Sequence, residues 1–214
     1  GYLVRGRSSG ASAGMGGVSY QPVSFEEGFV FAARFAPDGR TIVYSADWDR
    51  QQRDVFVTSL DSREFRSLGF PGADLLGISR SGELAILSAS TVKGGSPYLR
   101  RGTLARASLT GGAPRLELER VTFADFGSDG SMAVVREGED NHTMEYPVGQ
   151  VLVEGRTELL TPRVSPSGEY VAVFADGGKG GGLAAKNSSS KALRGVSTPL
   201  RPSNEVIART SASR

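Results

Sequence analysis

One phrase recurs along the chain and limits what it can fold into. Ala33-Arg34-Phe35-Ala36-Pro37-Asp38-Gly39-Arg40-Thr41-Ile42-Val43-Tyr44-Ser45 reads as strand, tight turn, strand. Proline fixes φ, aspartate bonds its own backbone and glycine accepts positive φ, so Pro37-Asp38-Gly39 closes the turn. Weaker copies run from Gly77 to Leu87, from Ala124 to Val135 and from Arg163 to Phe174. The turn glycines are Gly39, Gly82, Gly130 and Gly168, spaced 43, 48 and 38 residues apart.

A four-stranded propeller blade takes about 40–50 residues, so this spacing predicts an all-β, partial β-propeller of three to four four-stranded antiparallel blades. In the first blade the expected strands are Phe29–Phe35, Thr41–Ser45, Asp54–Leu60 and Glu64–Leu68. The second runs from about Asp74 to Leu118, with a strand at Thr103–Leu109 and a turn at Thr110-Gly111-Gly112-Ala113. The third runs from about Val121 to Leu160, with later strands at Thr143–Tyr146 and Gln150–Val153, and the fourth from Pro162 to Ala175. With 29 glycines and 38% hydrophobic residues in 214, the composition suits short strands joined by turns.

Residues 1–21 read as a Gly/Ser-rich leader, 22–175 as the propeller and 176–214 as a basic, low-complexity tail without strand character. From residue 177 on, Lys179, Lys186, Lys191, Arg194, Arg201, Arg209 and Arg214 face Glu205 alone. The expectation is a solvated, unfolded tail rather than a nucleic-acid or lipid contact. The abrupt change near residue 176 predicts a lost reading frame or a truncation there, and a first residue that is Gly predicts that the natural N-terminus is missing. No apolar run approaches the roughly 20 residues of a membrane span. With no cysteine, disulfides and thiolate metal sites are excluded.

Phe35-Ala36-Pro37-Asp38-Gly39 with Ile42-Val43-Tyr44, followed by Asp54-Val55-Phe56-Val57, resembles the repeat of TolB-like (PD40, WD40-like) β-propellers. Arg163-Val164-Ser165-Pro166-Ser167-Gly168 is the nearest second copy, whereas Ser79-Arg80-Ser81-Gly82 lacks both Pro and Asp and Gly127-Ser128-Asp129-Gly130 lacks Pro. The resemblance covers residues 22–175. Such propellers occur in periplasmic translocation proteins, as lids of prolyl-oligopeptidase-like peptidases and as C-terminal parts of bacterial serine/threonine kinases. Ala33–Ser45, the connection Arg66–Ala73 and Gly102–Arg106 look most like the kinase-associated group. The resemblance implies a bacterial, extracytoplasmic or periplasmic module, joined to a membrane only through an absent upstream segment. It implies six or more blades, against three and a half counted here.

The chemical motifs are sparse. Gly10-Ala11-Ser12-Ala13-Gly14 matches a nucleophile elbow but lacks the strand and helix that the elbow needs. His142 is the single histidine and is expected in an exposed loop. Asp47, Asp49 and Asp54 cluster carboxylates without an EF-hand spacing, and the expectation is that Asp54 opens a strand and no metal binds. Gly178-Lys179-Gly180 lacks the Ser or Thr of a phosphate loop, and the Gly14–Gly17 cluster lacks every other kinase motif. No catalytic residue and no cofactor are expected. Asp47, Trp48 and Asp49 form the candidate ligand-contact loop, Trp48 being either a stacking platform or a partly buried blade contact. The expected function is a non-catalytic binding module that takes a protein or peptide, not nucleic acid, at its rim or channel. The alternatives are a peptidase lid and a non-functional gene fragment.

Overall fold

The computed structural model describes residues 2–5, 19–24, 26–48, 52–62, 64–176, 181–185 and 207–209. Among the described residues the strands follow in order: β1 (Tyr2–Arg5), β2 (Ser19–Pro22), β3 (Gly28–Phe35), β4 (Thr41–Trp48), β5 (Asp54–Ser59) and β6 (Phe65–Ser67). Then come β7 (Asp74–Ile78), β8 (Glu83–Lys93), β9 (Ser96–Ser108), β10 (Arg115–Phe126), β11 (Met132–Glu137), β12 (His142–Glu145) and β13 (Val151–Gly155). The last are β14 (Glu158–Val164), β15 (Tyr170–Asp176), β16 (Gly181–Ala185) and β17 (Ile207–Arg209). Every pairing is antiparallel, as an all-β propeller requires.

The first blade is the sheet β3-β4-β5-β6. The second and third share one seven-stranded sheet, because β10 serves both. Its first half pairs with β9 as the outermost strand of the second blade, and its second half, from Val121, pairs with β11 as the innermost strand of the third. The join is bent, with register shifts on both sides and Arg120 at a φ of 62°. The fourth blade is β14-β15-β16, with β17 touching β15 at Tyr170.

The four repeat turns close alike. Gly39, Gly82, Gly130 and Gly168 all take positive φ, between 66° and 86°, and each donates its N–H to the carbonyl three residues back. Asp38 accepts from the Arg40 and Thr41 amides and the Thr41 hydroxyl. Asp129 accepts from the Ser131 amide and hydroxyl. Where the repeat lacks that aspartate, a serine hydroxyl takes over: Ser79 accepts from the Glu83 amide and Ser165 from the Tyr170 amide.

Side-chain alternation stacks the blades. In β4, Val43 joins Val55, Leu75, Leu84 and Ile86 between the first and second blades, while Ile42, Tyr44 and Ala46 face the opposite way. In β8, Leu84 and Ile86 point to the first blade, and Ala85 and Leu87 to the third. In β11, Met132 and Val134 meet the second blade, and Ala133 and Val135 the fourth. This two-sided burial explains why Leu84–Leu87 and Met132–Val135 are unbroken apolar runs rather than alternating ones. In β15, Val171 and Val173 are buried against the third blade, and Phe174 on the other face is 63% exposed.

The structure departs from the sequence reading in several places. β8 and β9 are far longer than a blade strand and form a hairpin around Gly94 and Gly95, where the expectation was a strand ending at Leu87 and another at Thr103–Leu109. His142 opens β12 rather than lying in a loop. Tyr2–Arg5 pairs with Ser19–Pro22 inside the expected leader, and β16 and β17 fall inside the expected tail, so strand pairing extends beyond residues 22–175. The Gly10–Gly14 motif and the Gly178-Lys179-Gly180 segment lie outside the described residues.

Candidate functional site

The β8–β9 hairpin bends over the face of the propeller on which the innermost strands begin. A bulge between Ser88 and Thr91, with Ala89 at a φ of 48°, sets the bend, and Gly102 faces it from β9. A Cβ on Gly102 would lie 2.5 Å from the Ser88 carbonyl oxygen, so this crossing needs a residue without one. Lys93 at the tip pairs with Glu137 at the end of β11 (3.2 Å) and with Glu158 at the start of β14 (2.9 Å). Arg101 also pairs with Glu137, at 3.2 Å. The hairpin is thus tied to the third and fourth blades while its other flank meets the first.

Beneath that flank lies a cleft of about 520 Å³ between the first two blades. Phe29, Phe31 and Tyr98 are its aromatic wall. Phe31 stands 5.7 Å from the Tyr98 ring and 6.4 Å from Phe29. Phe29 and Tyr98 are 62% and 60% exposed, large apolar surfaces left open in one place. The Arg53 guanidinium lies over the Phe31 ring, 3.2 Å from its centre, a cation–π contact.

The floor is a buried ionic network. Arg53 pairs with Asp74, and its other terminal nitrogen donates to the Pro97 carbonyl at 2.9 Å, pinning the hairpin to the first blade. Arg100 reaches Asp74 from the hairpin at 3.2 Å and donates to the Ser90 hydroxyl at 2.7 Å and the Ser90 carbonyl at 2.6 Å. Burial outweighs both arginines and holds the Asp74 carboxyl above the usual aspartate range. The network is therefore a rigid, specific joint rather than a large source of stability.

Of the expected contact loop, Asp47 and Trp48 are the last two residues of β4, and Asp49 lies outside the described residues. Neighbouring strand residues face opposite ways, and so do these two. Asp47 lines the cleft, and its Oδ1 is buried without a hydrogen-bond partner. Trp48 turns away and packs against Tyr44, Phe56 and Phe65, so it is a blade contact and not a stacking platform. Asp54 sits apart from Asp47 in function. Its oxygens accept from the Val55 and Phe70 amides and the Ser67 hydroxyl, fastening the connection to the second blade. No group of three or more metal-ligating side chains occurs among the described residues.

Sequence reasoning passed over Phe31, Arg53, Asp74, Tyr98 and Arg100. Asp74 begins the second blade and Arg53 precedes the Asp54 strand, but what unites them is the long hairpin, which has no counterpart in the other repeats.

No protein-family model matches the sequence, and no match is found among curated proteins. Solved structures do match in fold. TolB from Acinetobacter baumannii superposes with a TM-score of 0.59 at 19% identity over 79% of this chain and 43% of that one. The tricorn protease gives 0.56 at 18% identity, over 81% of this chain and 20% of its own. A prolyl endopeptidase gives 0.54 at 14% identity, over 84% of this chain and 30% of its own. This chain therefore spans less than half the length of each of these three. The described strands have the fold of a TolB-like β-propeller, a scaffold shared by TolB, the tricorn protease and a prolyl endopeptidase.

Proposed function

We propose that the chain is a non-catalytic propeller module that binds a peptide or a protein segment in the cleft beneath the β8–β9 hairpin. The observation that carries this reading is the pairing of opposites in one cleft. Exposed aromatic rings of Phe29 and Tyr98 stand beside Asp47, whose buried Oδ1 lacks a hydrogen-bond donor. The Asp47 carboxylate, as part of the cleft lining, gives the site a negative charge beside its rings that suits a ligand amide or cation. Rings of this kind supply contact area at low entropic cost and act as anchors in recognition. The cleft brings together no nucleophile with a histidine base, since His142 lies in β12 and is not among its lining residues.

The parent protein is proposed to be larger, with this module as the sensing part of a receptor-like serine/threonine kinase outside the cytoplasm. The Ala33–Ser45 and Arg66–Ala73 wording supports that placement. The same scaffold in a prolyl endopeptidase makes a peptidase lid the rival parent.

The test is selection of peptides from a random displayed library on the 214-residue chain, repeated on Asp47→Asn and Tyr98→Ala. Selected peptides that bind the native chain and lose about tenfold or more in affinity with either variant support the reading. Peptides indifferent to both variants contradict it.

A further inference from the structure

The repeat register hides a second site. The position five residues before each turn glycine is Arg34, Gly77, Asp125 and Arg163 in the four blades. All four lie on innermost strands, β3, β7, β10 and β14, which face one another across the central channel. Two of these residues reach to the next blade. Arg34 Nη2 donates to the Leu76 carbonyl at 3.2 Å, and Asp125 Oδ2 accepts the Val164 amide at 2.8 Å.

The channel, about 190 Å³, is lined by Arg34, Arg53, Arg100 and Arg163. Against these four cations stand Asp74, in the lining, and Asp125 beside it. Asp74 is shared by Arg53 and Arg100. Arg34 and Arg163 make no ion pair within 4.0 Å among the described residues, and their guanidiniums bond only to main-chain carbonyls. Burial first, and then the nearness of Arg163, push the Arg34 guanidinium below its usual value, while the Asp125 carboxylate, near both arginines, pulls the other way. Two cations drawn together beside the single carboxylate of Asp125 leave an excess of positive charge that suits an anion.

We propose that this channel binds the terminal carboxylate of a peptide between Arg34 and Arg163. The inference rests on the binding-module reading and extends it. The cleft and the channel share Phe31, Arg53, Tyr98 and Arg100, so a peptide lying in the cleft delivers its end to Arg34 and Arg163, neither of which has a carboxylate within 4.0 Å among the described residues. The planar guanidinium matches a planar carboxylate in two parallel hydrogen bonds.

The experiment titrates the 214-residue chain with acetyl-Ala-Ala-Phe as its free acid, with the same peptide as its C-terminal amide, and with inorganic phosphate. Calorimetry gives affinities, and arginine Nε and aromatic NMR signals report the place of binding. The acid is expected to bind at least about tenfold more tightly than the amide. Arg163→Gln should reduce that preference to less than about twofold, and Arg163→Lys, which keeps charge without the fork, should fall between. Arg163 is exposed and its side chain bonds its own neighbour, so these variants retain the fold. Acid and amide binding alike, with Phe29 and Tyr98 signals moving, would overturn the carboxylate site and leave the module reading intact. Phosphate competing on equal terms with the acid would overturn the peptide assignment in favour of a small anion. Binding by neither peptide would overturn both readings.

Discussion

At the scale of single residues, buried charge decides most. Asp74 holds two arginines with both its own side chain and that of Arg53 about nine-tenths buried. Removing it leaves Arg53 and Arg100 with hydrogen bonds to Pro97 and Ser90 but no paired carboxylate. Asp74→Ala is expected to cost about 3–5 kcal/mol in urea unfolding, the range for breaking a buried pair from one side. Asp125 gives a prediction of opposite character. Burial raises its carboxyl above the ordinary value of 3.8, so the folded chain holds that proton more tightly than the unfolded chain does. Its contribution is therefore present at low pH and is lost as pH climbs from 3.8 through the raised value. Asp125→Asn should flatten that decline in the unfolding midpoint, leaving the part due to Asp74, whose carboxyl is raised for the same reason. Asp38 and Asp129 run the other way. Hydrogen bonds from Thr41 and from Ser131 lower their carboxyls, so their support is lost as pH falls through the lowered values. None of these shifts is written in composition. Asp38 was readable as a turn residue because the Pro-Asp-Gly phrase specifies one, whereas Asp74 and Asp125 acquire their environments from strands far away in sequence.

At the scale of elements, the repeat was legible and the exception was not. Turn glycines fixed where β3, β8, β11 and β15 begin or end, and apolar runs marked the strands buried on both sides. The long β8–β9 hairpin escaped because Thr91–Arg101 breaks the blade pattern and carries Gly94-Gly95, which reads as loop. The cleft escaped with it. Trp48 shows the converse: of the two readings open to it, platform or blade contact, strand alternation settles the second by turning its ring into the aromatic cluster of the first blade. Two variants test the hairpin. Gly102→Ala places a Cβ against the Ser88 carbonyl and 2.9 Å from Ser90 Cα, both backbone, and is expected to cost about 1–3 kcal/mol while loosening the cleft wall. Lys93→Ala removes both ion pairs of the tip. It should leave global stability within about 1 kcal/mol but speed hydrogen exchange of residues 91–101 roughly fivefold, with little change in β4 or β11.

At the scale of the whole molecule, stacked blades give rigidity and the face supplies recognition. Three apolar layers, one at each blade interface from Val43 to Val173, hold the inner strands, and with them the cleft and the channel, in register. Architecture was readable from one phrase repeated four times, because a blade is a local unit with a local signature. Function was not, because it depends on which side chains a face gathers, and those come from separate blades. The most direct test of the account is to map amide and aromatic NMR shifts of the 214-residue chain on adding a library-selected peptide. The account predicts changes concentrated at Phe29, Phe31, Asp47, Tyr98 and Arg100. Changes confined to the outward surfaces around Leu116, Val151 and Phe174, with the cleft signals still, would contradict it.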